Sequence, residues 1–153
     1  FQIPDIALEM LPIAAGSFSM GGAASNQSDE SPVTQVTLSH PFWLGKTEVT
    51  QAQWEALMGS NPSKLKGASL PVEQVNWDEA MAFCRKLTDR ERTAGRLPEG
   101  YEYTLPTEAQ WEYACRAGTT GDYAGDMDAM GWYDANSGNG TKPVGQKQAN
   151  AWG

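Results

Sequence analysis

One local pattern occurs three times and limits the possible folds more than any other feature. Thr50 with Gln53, Asn76 with Glu79 and Thr107 with Gln110 each place a capping side chain three residues ahead of a Gln or Glu. At that spacing the two side chains satisfy each other's unpaired backbone N–H groups, so the pattern marks a helix start. Apolar residues follow at helical intervals: Trp54, Leu57 and Met58 up to Gly59; Ala80, Phe83, Cys84 and Leu87 before Gly95; and Trp111, Ala114 and Cys115 up to Gly118. Residues 50–55 and 107–112 share five of six positions. Their surroundings differ, so we read reuse of one good helix N-terminus rather than a duplicated unit.

Between and before these helices the pattern is that of strands. Residues 8–13 lead to Gly16 and residues 17–20 lead to Gly21-Gly22, which predicts a pair of short strands around a tight turn. Residues 23–32 are small and polar, a surface loop, and residues 33–38 and 42–44 are again extended. Residues 101–105 predict a short strand that delivers Pro106 to the third cap. Beyond Gly118 regular signals stop, and Tyr123, Trp132, Tyr133 and Trp152 lie among glycines, asparagines and aspartates. A structureless run of that length is functional, ion-bound or part of an incomplete unit. The class is α+β.

Composition agrees with a loop-rich domain pinned by large aromatics: 16 glycines, 9 prolines and 6 tryptophans among 40% hydrophobic residues. A chain of 153 residues would fold from roughly 24,000 Å² of surface to roughly 7,600 Å², enough to build a core without staples. Its apolar runs are only a few residues long, so no membrane-spanning helix is expected. The net charge of −8 disfavours nucleic acid as a partner. The densest basic cluster, Arg85, Lys86, Arg90 and Arg92, is interleaved with Asp89 and Glu91 and reads as a solvated helix face.

Few catalytic constellations can be assembled. His40 is the one histidine, in a Ser-His-Pro turn, which excludes multi-histidine zinc centres. Cys84 and Cys115 permit one disulfide, two free thiols or two external bridges, and both fall on apolar helix faces. Gly21-Gly22 lacks the lysine and helix start of a phosphate loop. Asp126, Asp128 and the stretch 133–140 offer carboxylate, amide and carbonyl oxygens of the kind calcium accepts, although the same residues also make ordinary turns.

Three stretches are more specific: Ile-Ala-Ala-Gly-Ser-Phe-Ser-Met-Gly at 13–21, Leu-Pro-Val-Glu-Gln-Val-Asn-Trp-Asp-Glu-Ala at 70–80, and Leu-Pro-Thr-Glu-Ala-Gln-Trp-Glu at 105–112. Together they resemble the formylglycine-generating enzyme, or sulfatase-modifying factor, family from about Met10 to Gly153. The resemblance implies a C-type-lectin-like α+β fold with little regular structure, occupying 1–153 as a domain incomplete at its C-terminal end. It implies oxidation of a sulfatase cysteine to Cα-formylglycine by dioxygen, at a cysteine pair that binds copper(I).

That pair follows a His-Gly-Asn-Val-Trp-Glu-Trp motif in the family, and the sequence here stops at Trp152-Gly153, where the motif would begin. Cys84 and Cys115 match the family's structural cysteines, which in some members bridge to cysteines of the C-terminal part, and not the copper pair. Glu48 matches a family glutamate near the substrate cleft. Asn136 with the Ser137 carbonyl matches one edge of a calcium site, whose other loop is shortened here.

Two functional expectations follow. One is a formylglycine-generating oxidase domain, inactive without the copper pair, acting on a sulfatase-like protein or peptide. The other is a non-catalytic lectin-like scaffold for ligand or protein binding. Aromatics left uncovered in the last third would be met by a complementary chain or by self-association. Calcium is a candidate cofactor, and copper one only with the C-terminal part; neither nucleic acid nor membrane is an expected partner.

Overall fold

The structure is a computed structural model, and it describes residues 1–22, 30–121 and 123–153. The expected loop at 23–32 therefore lies largely outside the described residues. Five strands come first: β1 (Gln2–Ile3), β2 (Leu8–Ile13), β3 (Gly16–Met20), β4 (Thr34–Leu38) and β5 (Phe42–Gly45). Helices α1 (Gln51–Met58), α2 (Trp77–Thr93) and α3 (Glu108–Arg116) follow, and then two single turns, α4 (Met127–Met130) and α5 (Asp134–Ser137). The last third is thus more regular than its sequence suggests.

All strand pairing is antiparallel. β2 is the centre of a three-stranded sheet, with Gln2 opposite Glu9 on one side and Met10 opposite Gly45 through Ile13 opposite Phe42 on the other. β3 pairs instead with β4, from Gly16 opposite Leu38 to Met20 opposite Thr34. The expected pairing of residues 8–13 with 17–20 is therefore wrong, because the two strands enter different sheets. β2 carries Leu8, Met10 and Ile13 as buried residues, so it is drawn into the main core, where β5 pairs with it.

That core joins Ile3, Ile6, Leu8 and Met10 to Trp54 and Leu57 of α1 and to Phe83, Cys84 and Leu87 of α2. The Trp54 and Phe83 rings stack 5.2 Å apart and within 6° of parallel, locking the first two long helices together. All three predicted capping boxes are formed, at Thr50, Asn76 and Thr107. Helix α1 stops where Gly59 takes the left-handed conformation, and α3 stops one residue earlier than expected, at left-handed Ala117.

Residues 101–105 do not form the expected strand. Thr88 of α2 takes the place of a partner strand: its hydroxyl accepts from Tyr103 N at 2.9 Å and lies 3.3 Å from Tyr103 O. A side chain on a helix thus satisfies backbone that would otherwise need a ladder.

Candidate functional site

Two side-chain clamps order the surfaces around Glu48 and around helix α3. The first orders the connection between α1 and α2. Buried Gln51 donates to Leu65 O (2.8 Å) and Pro71 O (3.3 Å), while its carbonyl accepts from Asn61 Nδ2 (2.9 Å) and Gly67 N (3.0 Å). Buried Ser63 accepts from Glu73 N at 3.0 Å, and the Glu73 carboxylate accepts from the backbone of Lys64 and Leu65. Those backbone donors hold the Glu73 carboxyl below the usual carboxylate range.

Glu48 lies exposed at the edge of this region, between β5 and α1, and Thr47 Oγ1 donates to its carbonyl at 3.1 Å. Val49 O accepts from Val72 N at 2.9 Å, tying the residue after Glu48 to the ordered connection. Val144 N donates to Ser69 O at 3.0 Å, and Gly145 lies against the Thr47 methyl. Glu48 is thus presented beside a surface built from three stretches distant in sequence.

The second clamp fixes α3 against β3. Glu112 Oε1 accepts from Gly21 N (2.9 Å) and Arg116 Nε (2.7 Å), and Arg116 donates on to Gly21 O (2.8 Å) and Gly121 O (2.9 Å). Asn150 donates to Ala114 O at 2.8 Å and Cys115 O at 3.2 Å, covering carbonyls at the end of the helix. Between this helix and the β3–β4 sheet runs a groove of about 720 Å³. Phe18, Tyr113 and Trp152 are among its walls, and Thr119 and Thr120 lie along its rim. Tyr113 meets Phe18 and Trp152 at ring separations of 5.4 and 6.0 Å. The Trp152 indole N–H is buried without a hydrogen-bond partner among the described residues.

No groove residue was a candidate site residue in the sequence, although Phe18 and Gly21 lie in the specific stretch 13–21 and Trp152 among the aromatics expected to be uncovered. The Glu112–Arg116 spacing of four was the one signal available, and it marks a helix-face ion pair without revealing that the pair holds Gly21.

The two cysteines are free and differently placed. Cys84 is buried in the core, and burial raises its thiol pKa above the ordinary value. Cys115 is exposed, contrary to the apolar face expected for it, and Trp111 one turn earlier is 58% exposed. The inward side of α3 is instead Ala114, with the half-buried Glu112, Tyr113 and Arg116, because the Gly21 clamp turns that side toward β3.

Asn136 and Ser137 lie together in α5. The Asn136 carbonyl accepts from Tyr133 N at 2.8 Å, and its amide donates to Gly131 O at 3.1 Å and Asp128 Oδ1 at 3.4 Å. Tyr133 donates to the same Asp128 oxygen at 2.5 Å, and this bond raises the phenol pKa. Lys147 lies 3.9 Å over the Trp132 ring and donates to Asp128 O, closing the turn. Among the described residues no group of three or more His, Cys, Asp or Glu side chains is placed to hold a metal ion. Asn136 and Ser137 by themselves would supply two of the six to eight oxygens calcium takes, and the two thiols, one in the core and one exposed, are not presented together as copper(I) ligands.

This fold, with its small sheets, three capped helices and clamped α3, defines a recognisable class. The profile of the sulfatase-modifying factor enzyme 1-like domain matches residues 4–153, and the chain belongs to that family. It is 34% identical to the chaperone protein LppX of Paenibacillus barcinonensis, over 87% of this chain and 64% of that protein. It is 32% identical to the formylglycine-generating enzyme of Mus musculus, over 89% of this chain but only 29% of the enzyme. The chain therefore spans less than two thirds of either relative's length. Among solved structures, Treponema denticola variable protein 1 superposes with a TM-score of 0.84 at 28% identity, covering the whole chain and 70% of that protein. PvdO from Pseudomonas aeruginosa shares the fold, with a TM-score of 0.83 at 24% identity, over 99% of this chain and 67% of its own.

Proposed function

We propose that this chain is a polypeptide-binding domain of the sulfatase-modifying factor family, one that engages a protein along the groove between β3–β4 and α3. With its own two thiols it does not convert cysteine to formylglycine. The observation that carries the second statement is the placement of those thiols: one in the core, the other exposed on α3. A copper(I) centre needs soft thiolate ligands brought together, and a desolvated thiol such as Cys84 stays protonated and inaccessible.

The groove's chemistry supports the binding reading. Aromatic walls, Phe18, Tyr113 and Trp152 among them, suit the apolar side chains of an extended peptide. A chaperone at 34% identity and a family that modifies sulfatases both concern protein partners. The oxidase reading keeps support from the formylglycine-generating relatives, and in it this chain is the scaffold to which a thiol pair is added.

The test has two parts. A sulfatase-derived peptide containing the target cysteine, incubated with the chain, copper(I) and dioxygen, is expected to give no aldehyde by mass spectrometry. A reduced, carboxymethylated model protein titrated into the chain is expected to change tryptophan emission saturably. Thr120→Arg, at the exposed rim of the groove, should weaken that binding. Aldehyde formation, or binding indifferent to the Thr120 substitution, overturns the proposal.

A further inference from the structure

The turn after α5 reads Gly138-Asn139-Gly140-Thr141, and its asparagine differs from the others in the described residues. Asn61, Asn76, Asn136 and Asn150 all hold their side-chain amides in hydrogen bonds. Asn139 is exposed and its amide has no partner among the described residues. Its backbone is left-handed, with φ 61°, a conformation asparagine tolerates better than most residues. Among the described residues the Gly140 N–H makes no backbone hydrogen bond, and Gly140 brings no Cβ to shield that nitrogen.

We propose that Asn139 is a site of spontaneous covalent modification, in which the chain deamidates itself through a cyclic imide. Gly140 N loses its proton to solvent base and attacks Asn139 Cγ. The Cγ–Nδ2 bond then breaks, and the side-chain amide leaves as ammonia. Water opens the five-membered imide at either carbonyl, giving aspartate or isoaspartate. One water is consumed and one ammonia released, with no change of oxidation state. The other described asparagines are protected twice: their amides are engaged, and the residue after each either has no N–H to deprotonate (Pro62) or carries a side chain that hinders the attacking nitrogen (Trp77, Ser137 and Ala151).

The position gives the modification structural reach. Either product places a negative charge in the turn that holds Lys142, whose ammonium lies near Gly138. Isoaspartate also lengthens the backbone by one carbon immediately before the segment that packs Gly140 on Leu65 and ties Val144 to Ser69. That segment borders the surface presenting Glu48, so modification at 139 would alter the surroundings of Glu48 without touching it.

Ageing the purified chain at neutral and at alkaline pH, followed by peptide mapping with isoaspartate detection, tests this. The expected result is an amide-to-acid mass gain concentrated in the peptide containing Asn139 and faster at alkaline pH. Gly140→Ala should slow it by about tenfold, because the added methyl crowds the attacking nitrogen. That variant suits the fold, since its Cβ would meet only Leu65 Cδ1, at 3.4 Å. Asn139→Gly, compatible with the left-handed backbone, should remove the signal from this peptide. A modification rate at Asn139 no higher than at the other asparagines, Asn26 included, or one unchanged by Gly140→Ala, overturns the inference.

Discussion

Glu91 is the residue at which charge is most deeply committed to the fold. Its side chain is 2% exposed, yet it takes Arg96 Nε at 2.7 Å and Arg90 Nε at 2.9 Å. Arg90 also reaches Pro4 O, at 3.3 Å, and Arg96 lies 4.0 Å from Asp5, so the carboxylate anchors the turn after β1 to the end of α2. The Arg96 hydrogen bond, followed by the Arg90 bond, outweighs desolvation and holds the Glu91 carboxyl below its ordinary range. A pKa lower in the folded state than in the unfolded chain gives stability that is complete above the unfolded value, about 4.3, and is lost as pH falls through the folded one. Glu91→Gln should therefore cost about 1–3 kcal/mol near neutral pH. Thermal melts across an acid series should show the gap between variant and parent closing below the unfolded value. A gap independent of pH would mean that packing, not ionisation, is what Glu91 contributes. Glu73, also lowered, leaves the variant with some acid sensitivity of its own.

At the scale of elements, helix starts were legible and helix faces only partly so. A capping box is written in four adjacent residues, and all three formed as read. The near-identical hexapeptides then diverge: Trp54 is 5% exposed and Trp111 58%. The hexapeptides differ at one position, where Gln51 is buried among four hydrogen bonds and Glu108 is exposed, and the two tryptophans are identical in local context otherwise. Phe83 supplies a stacking partner for Trp54, whereas Glu112 and Arg116 turn α3 by holding Gly21, ninety-one residues before Glu112. The strand expected at 101–105 failed for a related reason, since Thr88 on a helix met its backbone.

Dependence on such distant contacts makes the caps matter more. Helix α3 has nine residues, too few to be stable in isolation. Thr107→Ala removes the oxygen that accepts from Gln110 N and should cost about 1 kcal/mol by chemical denaturation. Thr107→Ser should recover most of it. Equal losses in the two variants would show that the threonine methyl, and not the cap, carries the effect.

The whole molecule is less compact than its length allows. Its surface of 9725 Å² exceeds the roughly 7,600 Å² that size alone predicts. Much of the excess aromatic surface is explicit: Trp77, Tyr101, Trp111, Tyr123 and Trp132 are all exposed. Glu48 and the Asn136 turn are named in the sequence by resemblance alone, whereas the groove was illegible because its walls come from β3, α3 and the last residues of the chain.

That groove depends on how closely the β3–β4 sheet approaches α3, and one glycine sets the approach. A Cβ at Gly16 would collide with the Tyr113 hydroxyl and stand 3.3 Å from the ring carbon bearing it. No special backbone angle is needed at Gly16, so the requirement there is for space alone. Gly16→Ala should destabilise the chain by about 1–3 kcal/mol through overpacking. Tyr113→Phe deletes the colliding atom, and the double variant should regain part of the loss, giving a coupling energy of about 0.5–3 kcal/mol between the two sites. Recovery should be incomplete, since the ring carbon remains close. Strictly additive losses in denaturant melts would place the strain elsewhere, and would mean that sheet and helix are not held together at this contact.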